Sequence, residues 1–201
     1  MSIYCIGRNY VAHIEELKNE IPSSPVIFSK PISSILPKGQ AFEYPTFTKD
    51  IHYECELVLR IGKSGKATTL EEANTFYDAY TLGIDFTARD LQQRLKEKGL
   101  PWDIAKGFDG AAILGDWKTF EDKKKPFAFS FYQNDILKQE GNSELMIYSF
   151  EQMICELSVY FTLQKDDILF TGTPHGVGPI AKGDVLQGFI ENESLFLVHV
   201  I

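Results

Sequence analysis

Glu54 and Glu56 stand two apart in the stretch Ile51-His-Tyr-Glu-Cys-Glu-Leu-Val-Leu-Arg-Ile61. Carboxylates at that spacing on a strand share a face, about 6.5 Å apart. Their repulsion is about 2.5 kcal/mol at an effective dielectric of 20 and about 0.6 kcal/mol in open water. A solvated sheet face would carry the pair at little cost. A cation would instead turn the repulsion into a binding site, which requires a third oxygen ligand. Asp85, inside the apolar run Tyr80-Thr-Leu-Gly-Ile-Asp-Phe86, supplies one, although an aspartate before a helix also serves as a turn former or cap. Three hard carboxylates without a His or Cys partner favour Mg²⁺ or Mn²⁺, with Ca²⁺ behind them, over zinc. Two or three positions would stay open for water or a chelating substrate.

His13 and Glu16 are three apart in Asn9-Tyr-Val-Ala-His-Ile-Glu-Glu16, where Asn9 is placed to cap a short helix stopped before Pro22. Residues three apart share a helix face, so Glu16 can orient His13 as a general base. A surface histidine beside an acidic residue has the same pattern. Lys30 in Phe28-Ser-Lys-Pro31 and Lys106 in Asp103-Ile-Ala-Lys-Gly-Phe108 sit beside apolar residues. Each can snorkel or aim an ammonium at developing negative charge. Thr171-Gly-Thr-Pro-His-Gly-Val-Gly178 follows an apolar strand. Its backbone N–H groups can hold a carboxylate, or the turn can simply change the chain's direction.

These residues need elements to carry them. Strand-like stretches span Ser2–Ile6, Val26–Ser29, Ile51–Ile61, Tyr80–Phe86, Phe127–Gln133, Asp167–Thr171, Val185–Ile190 and Ser194–Ile201. Within Ile51–Ile61 every second residue is apolar, the period of a strand with one face buried. Thr69-Leu-Glu-Glu72 and Ser149-Phe-Glu-Gln152 match the capping box, and Thr87-Ala-Arg-Asp90 is a weaker relative. The helix after Thr87 is expected to end near Gly99, before Pro101. Many strands, few helices and no regular alternation predict a β-rich α+β fold. No linker, repeat or low-complexity segment divides the 201 residues, and a 44% hydrophobic content is ample for one core. A net charge of −8 without a basic patch interleaved with aromatics argues against a nucleic-acid partner. No segment is long enough to span a membrane, and the start lacks the pattern of a signal peptide. Cys5, Cys55 and Cys155, odd in number and far apart, suit buried thiols in a reducing compartment, and a cytoplasmic location is expected.

Taken in order, Gly7-Arg-Asn-Tyr10 with His13 and Glu16, Phe28-Ser-Lys-Pro31, His52-Tyr-Glu-Cys-Glu-Leu57, Asp85-Phe-Thr-Ala-Arg-Asp90, Gly99-Leu-Pro-Trp102, Ala105-Lys106 and Thr171 through Gly178 are quoted motifs with a common likeness. Together they resemble the fumarylacetoacetate hydrolase family, most of all its short acylpyruvate-hydrolase-type members. The resemblance runs from about Ile3 to the C-terminus. It implies mixed β-sheets rolled around a core, one catalytic domain over residues 1–201, and a homodimer. By motif match, Mg²⁺ or Mn²⁺ would be held by Glu54, Glu56 and Asp85. His13 and Glu16 would form the catalytic pair on a mobile helical lid over residues 10–20, with Lys106 as the active-site lysine. Arg89, Gln92, Thr173 and Lys30 would contact a small 2-oxo acid substrate. The implied reaction is C–C hydrolysis of an acylpyruvate. Oxaloacetate decarboxylation, keto–enol tautomerisation and isomerisation of 2-hydroxyhepta-2,4-diene-1,7-dioate are alternatives through the same enolate. Three places depart from the family pattern: Phe108–Gly115, the turn Gln133-Asn-Asp-Ile136, and Arg60, placed on the glutamate face.

Overall fold

The computed structural model describes residues 1–16 and 22–201. The chain opens with β1 (Ile3–Gly7), α1 (Val11–Glu16) and β2 (Val26–Lys30), then runs into β3 (Ile51–Tyr53) and β4 (Cys55–Ile61). There follow α2 (Leu70–Asn74), β5 (Tyr77–Asp85), β6 (Thr87–Ala88), α3 (Arg89–Glu97) and α4 (Asp103–Lys106). The second half holds β7 (Ala112–Leu114), β8 (Lys118–Thr119), the hairpin β9 (Ala128–Gln133) and β10 (Ile136–Asn142), and α5 (Phe150–Tyr160). It finishes with β11 (Ile168–Phe170), β12 (Gly178–Pro179), β13 (Val185–Ile190) and β14 (Glu193–His199).

Among the described residues the strands form three sheets. A seven-stranded sheet runs β2-β1-β11-β4-β5-β7 with β8 on β5; a four-stranded sheet runs β10-β9-β13-β14; a three-stranded one runs β12-β3-β6. β1 and β11 pair in parallel and the other pairings are antiparallel. The expected fold is therefore the observed one: β-rich, mixed and curled around a shared core. That core joins Leu57 and Leu59 of β4 to Phe131 of β9, Leu186 of β13 and Ile51 of β3.

The expected single strand over Ile51–Ile61, with one face buried, is corrected in two ways. The strand breaks at Glu54, where β3 departs into the small sheet while β4 stays in the large one. Moreover, β4 is buried on both faces: every residue from Cys55 to Ile61 is buried except the half-buried Arg60. Val58, on the glutamate face, packs with Ile3, Cys5, Ala112, Ile168 and Phe170 in a second apolar cluster. Burying such a side chain is worth about 1.5–3 kcal/mol. The glutamates thus stand in the interior, where their repulsion is at its most costly.

The helix starts fall where side-chain chemistry allows. Thr69 accepts from the Glu72 N–H, and Ser149 with Gln152 forms a complete capping box, a cap being worth about 1 kcal/mol. Thr87 does not cap α3: it belongs to β6, and α3 starts after Ala88. α3 ends at Glu97, and Gly99 turns the chain with a φ of +62°. Asn134 and Asp135 both have positive φ, so the departure from Asn-Gly still makes the mirror-image turn that a two-residue hairpin needs. The expectation of a lid over residues 10–20 falls partly outside the described residues; Val11–Glu16 form α1.

Candidate metal centre and active site

Glu54, Glu56 and Asp85 each offer a carboxylate oxygen, and the three oxygens lie within 4.8 Å of one another. Strand pairing brings them together. β4 runs antiparallel to β5, Glu56 is opposite Gly83, and the Asp85 N–H donates to the Glu54 carbonyl at 2.8 Å. Oxygens sharing a small divalent ion at roughly 2.1 Å lie about 3–4 Å apart, so small rotations close the set. Asp85 Oδ1 is fully buried and accepts no aligned hydrogen bond. Lys30 Nζ stands 2.6 Å from it, but that ammonium is directed at the carbonyls of Phe86 and Lys106. Glu56 has a single N–H donor, Gly172, at 2.7 Å. Burial, then Asp85 and Glu54, push its carboxyl well above the usual carboxylate range. An all-oxygen set of three buried carboxylates, in which Glu56 has no ion-pair partner among the described residues, fits Mg²⁺ or Mn²⁺.

Cations surround the acids. Lys106 Nζ bridges Glu54 (2.8 Å) and Asp85 (2.6 Å), and lies 4.9 Å from the centre of the Phe28 ring. Burial works against its charge, but Asp85 and Glu54 prevail and hold it above the ordinary lysine range. For Glu54, burial is likewise outweighed by Lys106 and Arg89, and its carboxyl falls well below the usual range. Arg89 reaches Glu54 through one nitrogen and Gln92 Oε1, at 2.8 Å, through another.

His13 lies in the same cavity as the triad, a space of about 40 Å³. Its Nδ1 is 3.3 Å from Glu16. Burial lowers its pKa below 6.5, against the upward pull of Glu54 and Glu16, so the ring is neutral at pH 7 and able to accept a proton. Glu16 also accepts from the Gly176 N–H, at 3.0 and 3.2 Å.

The residues named from sequence are brought together with two qualifications. Lys30 does not line this cavity; it supports Asp85 from behind and opens on a separate hollow. Thr173 lines the cavity, but its hydroxyl is engaged, donating to the Cys55 carbonyl and accepting from Gln139, both at 2.8 Å. Asn9 is not a helix cap. Its amide donates to the Thr171 and Tyr148 carbonyls and accepts from the Tyr148 N–H, tying β1 to distant loops. Arg60 pairs with Asp78 at 2.9 Å and lies off the site. Phe108 lines the separate hollow, so the altered segment after it is not a wall of the cavity. Sequence reasoning gave no role to Gln139. Its side chain accepts from the Cys55 N–H (3.0 Å) and donates to Thr173 and the Pro174 carbonyl, fastening the break at Glu54 to the glycine-rich loop. A bulge between Leu137 and Gln139 places it there. Arg8, Lys96 and Trp102 also line the cavity; Arg8 and Trp102 stood in quoted motifs without a role.

Comparison with known proteins adds a family. The model of the fumarylacetoacetate (FAA) hydrolase C-terminal family matches residues 2–198. A mitochondrial oxaloacetate tautomerase of Bos taurus is 37% identical over 191 residues, covering 94% of this chain and 86% of the relative. A mitochondrial oxaloacetate decarboxylase of Dictyostelium discoideum is 39% identical over 189 residues, covering 92% and 86%. The crystal structure of fumarylpyruvate hydrolase from Pseudomonas aeruginosa, in complex with Mn²⁺ and pyruvate, superposes with a TM-score of 0.94 at 34% identity, covering 100% and 89%.

Proposed function

Because the chain belongs to the fumarylacetoacetate hydrolase family, we propose that it is a divalent-metal-dependent enzyme that forms the enolate of a small 2-oxo acid. Oxaloacetate tautomerisation, with decarboxylation beside it, is the first reading. The relatives named above favour it. C–C hydrolysis of an acylpyruvate, the expectation drawn from the sequence, is the second, and the likeness to a fumarylpyruvate hydrolase supports it. The observation that carries both is the neutral, Glu16-paired His13 sharing one small cavity with three carboxylates.

Glu54, Glu56 and Asp85 would hold the ion, and when bound it supplies a Lewis acid that polarises the 2-oxo oxygen. In tautomerisation His13 takes the enol O–H proton and delivers one to the carbon next to the ketone, or runs that exchange in reverse; in hydrolysis it takes a proton from the attacking water and returns it to the carbon of the departing enolate. Glu16 fixes the ring and steadies the imidazolium that results. Lys106, kept charged by its neighbours, faces the developing oxyanion. Decarboxylation needs no such base, since the departing carboxylate leaves its electrons behind.

Enol oxaloacetate and acetylpyruvate both absorb in the ultraviolet, so one spectrophotometric assay of the Mn²⁺-loaded protein tests the proposal. Decay of the enol band of either acid above the protein-free rate is expected. Protein that accelerates neither, with Mn²⁺ bound, ends the reading.

A further inference from the structure

Arg8, Lys96 and Trp102 line the cavity of the three carboxylates and His13, yet neither ion binding nor proton transfer uses them. On α3, Arg89, Gln92 and Lys96 fall at i, i+3 and i+7, one helix face, and that face lines the cavity. Arg94, on the opposite face, is exposed. Lys96 Nζ stands 5.1 Å from the centre of the Trp102 ring, a contact that fixes where the ammonium rests.

Arg8 has a φ of +61°, a backbone state that costs a non-glycine residue free energy and clusters at functional sites. Its buried neighbour Asn9 enforces it through bonds to Thr171 and Tyr148. Among the described residues, no carboxylate lies within ion-pair distance of Arg8 or Lys96. Burial, then Arg89 and Arg8, lower the pKa of Lys96 against the upward pull of Glu54, so like charges gather at this end of the cavity. In a chain of net charge −8, such a gathering calls for an anion.

We propose that Arg8 and Lys96, the latter held by Trp102, form a subsite for the second carboxylate of a 2-oxo diacid whose 2-oxo end faces Glu54, Glu56 and Asp85. The proposal rests on the reading that the site takes a 2-oxo acid and adds which one: a diacid in preference to a monoacid. A monoacid would leave two partly desolvated cations without a partner, and selectivity arises from that omission.

The test separates the subsite from the reaction. Mn²⁺-loaded protein is titrated calorimetrically with pyruvate, which carries the 2-oxo end alone, and with 2-oxoglutarate, which adds a distal carboxylate. Wild-type protein is expected to bind the diacid roughly ten- to hundredfold more tightly. Lys96→Met and Arg8→Gln, on different elements, should each shrink that ratio by roughly tenfold. In turnover, each variant should lose more kcat/KM on oxaloacetate than on acetylpyruvate, chiefly through KM. If neither acid is turned over, the reaction reading fails while the binding ratio still decides the subsite. A wild-type protein without diacid preference, a preference that survives both substitutions, or equal losses on both acids overturns the proposal.

Discussion

At the scale of single residues, the carboxylates and the base have separable duties. Glu56→Gln keeps an oxygen for the Gly172 N–H while removing the charge. It is expected to lose bound Mn²⁺ and to reduce all turnover to near background with the circular dichroism unchanged; full metal content in that variant would refute a three-carboxylate centre. His13→Ala should slow tautomerisation and hydrolysis by roughly 10²–10⁴-fold while leaving much of any decarboxylation of oxaloacetate. Equal loss of all activities with Mn²⁺ still bound would remove His13 from the role of base. The pH profile follows from its burial. A base acts when neutral, and His13 is held below the ordinary histidine value of 6.5. Activity should therefore be at its plateau by pH 7 and fall on the acid side of 6.5 as the ring gains its proton. A limb centred above 6.5 would contradict a buried, neutral imidazole.

At the scale of elements, the site depends on how strands are broken and fastened. Gln139 leaves the Cys55 N–H without a partner when removed, and an unsatisfied buried donor costs about 1–3 kcal/mol. Gln139→Ala should lower the melting temperature by several degrees and weaken Mn²⁺ binding, since Glu54 and Glu56 flank the residue it holds. A variant with unchanged melting and metal affinity would show that the bulge, not the side chain, sets the break. Glu54, Glu56 and Asp85 were legible in the sequence because a charge inside an apolar run is a conflict visible without coordinates. Gln139 was not, for its burial follows from a one-residue shift in pairing. Asn9 was misread as a cap because its partners lie 139 and 162 residues away. The both-sided burial of β4 was hidden as well: alternation tells which residues are apolar, not what covers the other face.

At the scale of the whole molecule, the ion should be a structural partner as well as a catalytic one. A ligand at about 100 times its dissociation constant stabilises the fold by about 2.7 kcal/mol, which for a chain of this length is roughly 5–10 °C in melting temperature. Mn²⁺ should raise the transition by that amount and a chelator reverse it; no shift at saturating Mn²⁺ would argue against a cation held by Glu54, Glu56 and Asp85. A two-fold dimer is the expected assembly. Ile32, Phe47, Ile104 and Phe161, each more than a third exposed around one hollow, give it an apolar surface to cover. Only monomer in sedimentation at micromolar concentration would count against it.

Glu16 touches both His13 and the Gly176 N–H, so one carboxylate is shared between the base and the loop beyond β11. The seating of α1 on that loop and the alignment of the imidazole consequently rest on the same side chain. On the proposed reading the contact would act as an interlock: were α1 to lift, the proposed base would lose its orienting carboxylate at the moment it met bulk water.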